Sequence, residues 1–315
     1  MAKNKKDSDL LPGELEQRAR TLTAAEMERY REKYLSSKYI DARSDWGFKH
    51  LMRIKEILKM LVSDVLNENI VSVEHLPNEV DRFLGHEKDV TMDVLCKDSQ
   101  GRELIVEMQR KEESYFRNRM LYYGASMIHA QLASGVDYDE MRPVVVICIM
   151  DYKEDHMPEA RQDVFCYSLM ERTTHELFGN QLTIYLCELP RKQSKSMSEM
   201  NYLEIWLYLL KNMHTFAEVP EDLPSRFRPV LDAAETKGLD PQEMNEYITS
   251  MLSQSRIDAS IRAAFDRGEK KGIAKGVAEG RAEGSNIRSE EIARKMQEMG
   301  LSSEQIKQAT GVDLS

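Results

Sequence analysis

Residues 89–109, DVTMDVLCKDSQGRELIVEMQ, alternate apolar and polar side chains on both sides of a turn-forming segment, and this pattern predicts a β-hairpin. In the first half, Val90, Met92, Val94 and Cys96 fall on one face, and Thr91, Asp93 and Leu95 on the other. KDSQG at 97–101 supplies the turn chemistry. In the second half, Leu104, Val106 and Met108 share one face, and Ile105, Glu107 and Gln109 the other. Each strand therefore carries an acid, and Glu107 and Gln109 lie two residues apart on one side, as a metal site on a strand requires. A half-buried antiparallel pair also carries polar residues on its outer face without any chemistry, so alternation by itself leaves both readings open.

Register decides between them. Directly opposed residues in an antiparallel pair point to the same side of the sheet. Asp93 and Glu107 can therefore share one ion only if Asp93 lies opposite an odd-numbered residue. A turn centred on Ser99 sets Asp93 against Ile105, with Glu107 as its diagonal neighbour. A turn centred between Ser99 and Gln100 sets it against Val106 and sends Glu107 to the opposite face, unless a β-bulge restores the alignment.

Around the hairpin, periodicity predicts the order helix, three strands, helix, strand. Asp45 reads as the N-cap of a long helix whose apolar positions run from Leu51 through Ile57, Leu61 and Val65. A strand follows at 69–75, then the hairpin, a helix at 114–133 and a strand at 143–150. Strands at 164–169 and 182–189 extend the same sheet, and an amphipathic helix covers 199–213. Further helices are expected at 224–235, 241–252 and from Ser255 onward, with no proline after Pro241. Residues 1–37 read as a charged arm with a helix over 23–35, capped by Thr23.

Five pieces stand in order between residues 41 and 189: SDWGFKHLM at 44–52, Asp93, Glu107-Met108-Gln109, the pair Arg119 and Tyr123, and a turn at 135–138 leading into PVVVICI. Together they resemble the transposase-associated branch of the PD-(D/E)XK nucleases, also called the recombination-promoting nuclease family. The resemblance implies an α/β, restriction-endonuclease-like core with a helical C-terminal extension. It also implies a DNA endonuclease linked to recombination or mobile elements. The same fold kept as a non-catalytic scaffold for DNA binding or oligomerisation is the alternative.

Hydrolysing a phosphodiester means bringing water to an anion, a barrier that a carboxylate-held divalent cation lowers. Magnesium needs few protein ligands, so Asp93, Glu107 and the Met108 carbonyl suffice for Mg2+ or Mn2+. Gln109 stands where the wider superfamily has lysine; its neutral amide orients a water but adds no charge. The resemblance implies Asp45 as a third carboxylate, and Glu56 is a further candidate on the same helix; Asp45 also reads as a simple cap. Lys49 faces a substrate phosphate or lies over the helix surface. Arg119 and Tyr123, four residues apart on one helical face, clamp the phosphate, hold Glu107, or pack as a cation on a ring.

A net charge of −10 excludes DNA binding by bulk electrostatics, so positive charge must be local; Arg110, Lys111, Arg117 and Arg119 are the nearest source. The four cysteines lie in apolar, strand-like runs without C-x-x-C spacing and read as core residues of a cytoplasmic protein. No apolar run is long enough to span a bilayer, and no signal peptide is expected.

Glycines 268, 272, 276, 280 and 284 recur every four residues in the last helical stretch. They suit either a homodimer through close helix approach or a flexible linker. The end resembles the first two helices of a helix-turn-helix, with Gly300 as a stop and Ser302 and Gln305 as a capping box. The expected division is an arm at 1–37, a nuclease-like domain at 38–215, a glycine-striped helical region at 216–284 and a tail at 285–315.

Overall fold

The computed structural model describes residues 28, 32, 36–77, 92–132, 135, 137–153, 163–189 and 195–313. The expected helix over 23–35 lies outside them apart from isolated positions, as do Val90 and Thr91. The described residues form two compact units, one ending at Leu252 and the other beginning at Ser253.

The first unit is built on a mixed six-stranded sheet. Its strands are β1 (Val73–His75), β2 (Val94–Asp98), β3 (Glu103–Gln109), β4 (Val144–Met150), β5 (Val164–Ser168) and β6 (Leu182–Glu188). The spatial order is β1-β2-β3-β4-β6-β5. β1, β2 and β3 pair antiparallel, β3, β4 and β6 run parallel, and β5 closes the far edge antiparallel to β6. Both late strands extend the sheet as expected, with the second of them placed inside the first. The parallel β3–β4 pair needs a crossover, which α3 (Phe116–Gln131) supplies.

Strand alternation divides the core into two layers. Val94, Cys96, Leu104, Val106 and Ile147 bury against the layer formed by α1 (Asp45–Met52), α2 (Lys55–Leu66), α4 (Tyr202–Asn212) and α5 (Arg228–Ala234). Leu95, Ile105, Val146, Cys148 and Leu186 bury on the other face with Phe116, Met120 and Met127 of α3. Each such side chain contributes roughly 1.5–3 kcal/mol. Gly124 lets α3 come close to the sheet: a Cβ there would sit 2.5 Å from Leu182 Cδ1 and 3.3 Å from Val146.

Three expectations are corrected. The N-cap of α1 is Ser44, whose hydroxyl accepts the Gly47 N–H at 3.0 Å; Asp45 is the first helical residue. The long helix breaks into α1 and α2, because Ile54 turns extended and the Met52 carbonyl contacts His75 Nε2 at 2.9 Å. The helices expected at 241–252 and from Ser255 are one element, α6 (Pro241–Glu298). It starts at a capping box in which Asp240 accepts the Glu243 N–H at 2.8 Å, and no breaker follows. Met244, Tyr247, Ile248 and Leu252 of α6 are buried, whereas open space surrounds its five regularly spaced glycines. Gly300, at φ +84, ends the preceding turn, and the Ser302–Gln305 box opens α7 (Ser303–Thr310).

Candidate active site

The β2–β3 ladder pairs Val94 with Val106, Leu95 with Ile105, Cys96 with Leu104 and Lys97 with Glu103. Continued by one step, this register sets Asp93 opposite Glu107, an odd pairing of the kind one shared ion requires. The turn is centred on Gln100 and not on Ser99, so the residue facing Ile105 is Leu95. Asp98 and Gly101 are the cause. The Asp98 N–H donates to the Arg102 carbonyl and the Gly101 N–H to the Asp98 carbonyl, both at 3.0 Å, with Gly101 at φ +84. Asp98 Oδ1 accepts the N–H groups of Gln100 (2.8 Å) and Arg102 (3.0 Å). This is a three-residue loop closed by a left-handed residue, a conformation glycine adopts without a Cβ penalty. One residue fewer would turn every β2 side chain over.

At the open end of the hairpin the ladder stops and side chains take over. The Asp93 N–H donates to Glu107 Oε1 at 2.9 Å, and the Met108 N–H donates to Asp93 Oδ2 at 3.0 Å. Each acid thus accepts a backbone proton from the other's strand, which fixes both carboxylates. Met92 leaves the alternation here and buries with Leu95 in the α3 layer rather than with Val94. Burial, and then the charge of Asp93, push the Glu107 carboxyl up to about 8. Burial also holds Asp93 above its usual range, against Lys49 and the Met108 N–H. The two acids are short of positive charge.

Lys49 of α1 is the cation that reaches them. Its Nζ lies 2.5 Å from Asp45 Oδ1 and 3.3 Å from Asp93 Oδ1. Burial pulls its pKa down, but Asp45 and Asp93 outweigh that, and the net shift is upward. Asp45 is exposed and reaches Asp93 only across this ammonium. Asp45 therefore stands next to the Asp93–Glu107 pair through Lys49, and its contact is with the ammonium. Glu56 opens α2 at the surface, paired with Lys59 at 2.5 Å, and is not on the helix that carries Asp45 and Lys49.

A cleft of about 250 Å³ opens beside Asp93 and is lined by Asp45, Trp46, Lys49, His50, Arg53, His75 and Val94. Trp46 stacks on His50 at 4.5 Å, and Arg53 bonds His50 Nδ1 at 2.7 Å. Sequence reasoning missed Trp46, Arg53 and His75. Trp46 and Arg53 stand at helical spacing from Lys49 and His50, a legible signal; His75 comes from the short edge strand, where no local pattern marks it.

On the α3 side, Gln109 is engaged at both ends of its amide. Its Nε2 donates to the Lys111 carbonyl at 2.7 Å, and its Oε1 accepts from Arg119 Nη2 at 2.5 Å. Arg119 Nη1 reaches Glu113 at 2.7 Å, and the guanidinium lies 5.8 Å from the Phe116 ring centroid. Arg119 therefore bonds Gln109 rather than Glu107, although its charge lowers the Glu107 pKa. Tyr123 is half-buried; burial and then the Glu107 charge raise its pKa. Arg117 lies over the Tyr167 ring at 5.6 Å. Of the four cations expected beside the acids, Arg117 and Arg119 are thus engaged on α3, and α1 supplies Lys49.

The donor set fits a hard divalent cation: the buried Glu107 and the half-buried Asp93 carboxylates, with Lys49 on Asp93, and a carbonyl. N–H and C=O of one strand residue point to the same side, so the Met108 carbonyl opens toward Asp93, as its N–H does. Oxygen donors of this kind suit magnesium or manganese.

Comparison with known proteins agrees with this geometry. The family model described as PD-(D/E)XK nuclease family transposase matches residues 42–264. No curated protein and no solved structure gives a match. The match takes in the sheet, the hairpin acids, α1 and α3, more than half of the chain, and the chain therefore belongs to the PD-(D/E)XK nuclease family transposases.

Proposed function

We propose that the chain is a metal-dependent DNA endonuclease linked to recombination or mobile elements, cleaving at the Asp93–Glu107 pair. The observation that carries this reading is the reciprocal lock between the buried Glu107 and the half-buried Asp93, with Glu107 held up to about 8. A buried carboxylate whose pKa is raised this far costs stability and marks a functional site. Asp93, Glu107 and the Met108 carbonyl would hold magnesium or manganese, which when bound would supply charge neutralisation and acidify water.

The chain's own residues do the rest. Lys49, on the rim of the cleft, exchanges part of its contact with Asp93 for a substrate phosphate oxygen. Lys49 carries the local positive charge of this cleft, which the total charge of −10 does not supply, while Arg53, paired with Glu243, and His50 and His75 shape its wall. Gln109 holds Arg119, which keeps a positive charge near Glu107 without neutralising it. Tyr123 closes the α3 side of the pair. Asp45 anchors Lys49 in the resting protein.

The engaged amide of Gln109 favours a second reading, a nuclease fold retained for DNA binding or assembly without turnover. A plasmid-nicking assay with magnesium, with manganese and with EDTA decides between them. Metal-dependent nicking abolished by Glu107→Gln supports the enzyme. DNA binding without nicking in either metal supports the scaffold.

A further inference from the structure

The two edges of the sheet are built differently. β1 at one edge is three residues long and carries Glu74 and His75, which discourages strand addition. β5 at the other edge, VFCYS, has no proline, glycine or charge. Its pairing with β6 also reveals which backbone groups are left outward. The Glu188 N–H donates to the Asp163 carbonyl at 2.7 Å, and the register runs Val164 to Cys187 through Ser168 to Thr183. Hydrogen-bonded pairs alternate in an antiparallel ladder, so Phe165 and Tyr167 bond β6, while Val164, Cys166 and Ser168 turn their N–H and C=O groups to the edge that no strand among the described residues covers.

We propose that β5 pairs antiparallel with β5 of a second copy of this chain, about a two-fold axis at Cys166, joining two sheets into one. The outward groups lie on even-numbered residues, so only registers matching even with even form hydrogen bonds. Among these, the register centred on Cys166 uses the whole strand. It sets Cys166 against Cys166 and Val164 against Ser168. It also sets Phe165 against Tyr167 twice, on the α3 face, where aromatic cross-strand pairs are favourable. No charged residue lies in the strand to be opposed by itself. The strand is thus self-complementary, and a two-fold pairing closes on itself rather than growing into a fibre.

A stable dimer buries on the order of 1,200 Å² or more, beyond what a five-residue ladder provides. The remainder is available on either side. The Leu169–Phe178 segment that continues β5 folds back through the Met170–Leu177 bridge and exposes Phe178 at 87%. An apolar groove of about 180 Å³ beside β5 is lined by Met120, Leu121, Tyr167 and Ile184, with Arg117 at its rim. This interface is independent of the glycine stripe on α6 and of nuclease activity.

The test uses the full-length protein, measuring mass by sedimentation and trapping Cys166 by mild oxidation with copper phenanthroline. The expectation that all four cysteines are core residues holds for Cys96, Cys148 and Cys187 but not for Cys166, which is exposed on the edge strand, so a cross-linked band reports Cys166. Opposed residues in a hydrogen-bonded pair have Cα atoms about 5.5 Å apart, within reach of a disulfide. The expected result is a dimer that cross-links through Cys166. Ser168→Pro removes an outward donor twice per dimer and should weaken association by about tenfold or more. Cys166→Lys, at an exposed position, opposes two like charges and should give a folded monomer with unchanged circular dichroism and a melting temperature that no longer depends on concentration. A chain that is monomeric at ~100 µM, well above a micromolar-class dissociation constant, would overturn the proposal. So would a dimer that neither cross-links at Cys166 nor responds to either variant, and so would a monomer that takes up only unrelated strand peptides.

Discussion

The β2–β3 hairpin carries a buried acidic group at each end, and the two are treated in opposite ways. At the turn, Asp98 accepts two backbone N–H groups and the Arg102 Nε at 2.7 Å, while Arg102 goes on to Glu68 at 2.7 Å. Every oxygen there has a partner, and the carboxylate shapes the loop. At the open end, Asp93 and Glu107 each hold one backbone N–H and face each other, with Lys49 against only one of them. The same residue chemistry is structural where a guanidinium completes it. On the proposed function, the open end is where a divalent cation would add to Lys49 as counter-charge.

The sharpest way to break this contrast is Glu107→Gln, which removes a charge and almost no volume. Nicking should fall by roughly 10³-fold or more, the scale of losing an essential transition-state group, with circular dichroism unchanged. Cleavage surviving in magnesium would place the site elsewhere. The converse substitution at the other end, Asp98→Ala, removes the acceptor of the Gln100 and Arg102 N–H groups and leaves the half-buried Arg102 with Glu68 alone. It should cost about 2–3 kcal/mol in urea unfolding. If it were neutral, the turn acid would not be the structural member of the pair.

The third test is pH. Glu107 folded at about 8 lies above its ordinary 4.5, so the folded chain keeps a proton that the unfolded chain releases. That contribution is complete below 4.5 and is lost as pH rises to 8 and beyond. Metal-free protein should therefore lose on the order of 1–3 kcal/mol across this window, and Glu107→Gln should flatten the profile. Magnesium or manganese should raise the melting temperature more at pH 8 than at pH 5, because the ligands must be deprotonated. A flat profile in the wild type would remove the electrostatic difference between the two ends. The smallest effect is at the loop: Gly101→Ala forces a Cβ into a left-handed position and should cost about 1–2 kcal/mol, read in the same unfolding experiment.

The hairpin, its two faces and the pairing of acids were legible because their determinants are local. A period of two sorts side chains onto faces, and Asp98 with Gly101 sets the loop within four residues. The turn centre stays open between alternatives in the sequence, since KDSQG permits several loops and the left-handed Gly101 selects this one. Helix existence was legible too. The break after Met52 was not, because it depends on His75, 23 residues away. Asp45 was misread as the cap because Ser44 and Asp45 both have capping side chains, and local chemistry does not choose between neighbours.

The charge of the site divides in the same way. From sequence, Arg110, Lys111, Arg117 and Arg119 stand nearest the acids, and Gln109 reads as free to orient water. Folding ties Arg119 to Gln109 and Glu113, lays Arg117 over Tyr167 and brings Lys49 to Asp93. Spacing along a strand or helix is a property of the backbone's period, so the chain alone determined which residues share a face and that two acids can meet. Which cation meets them depends on how α1 and α3 pack on opposite faces of one sheet, and packing is decided by the whole core.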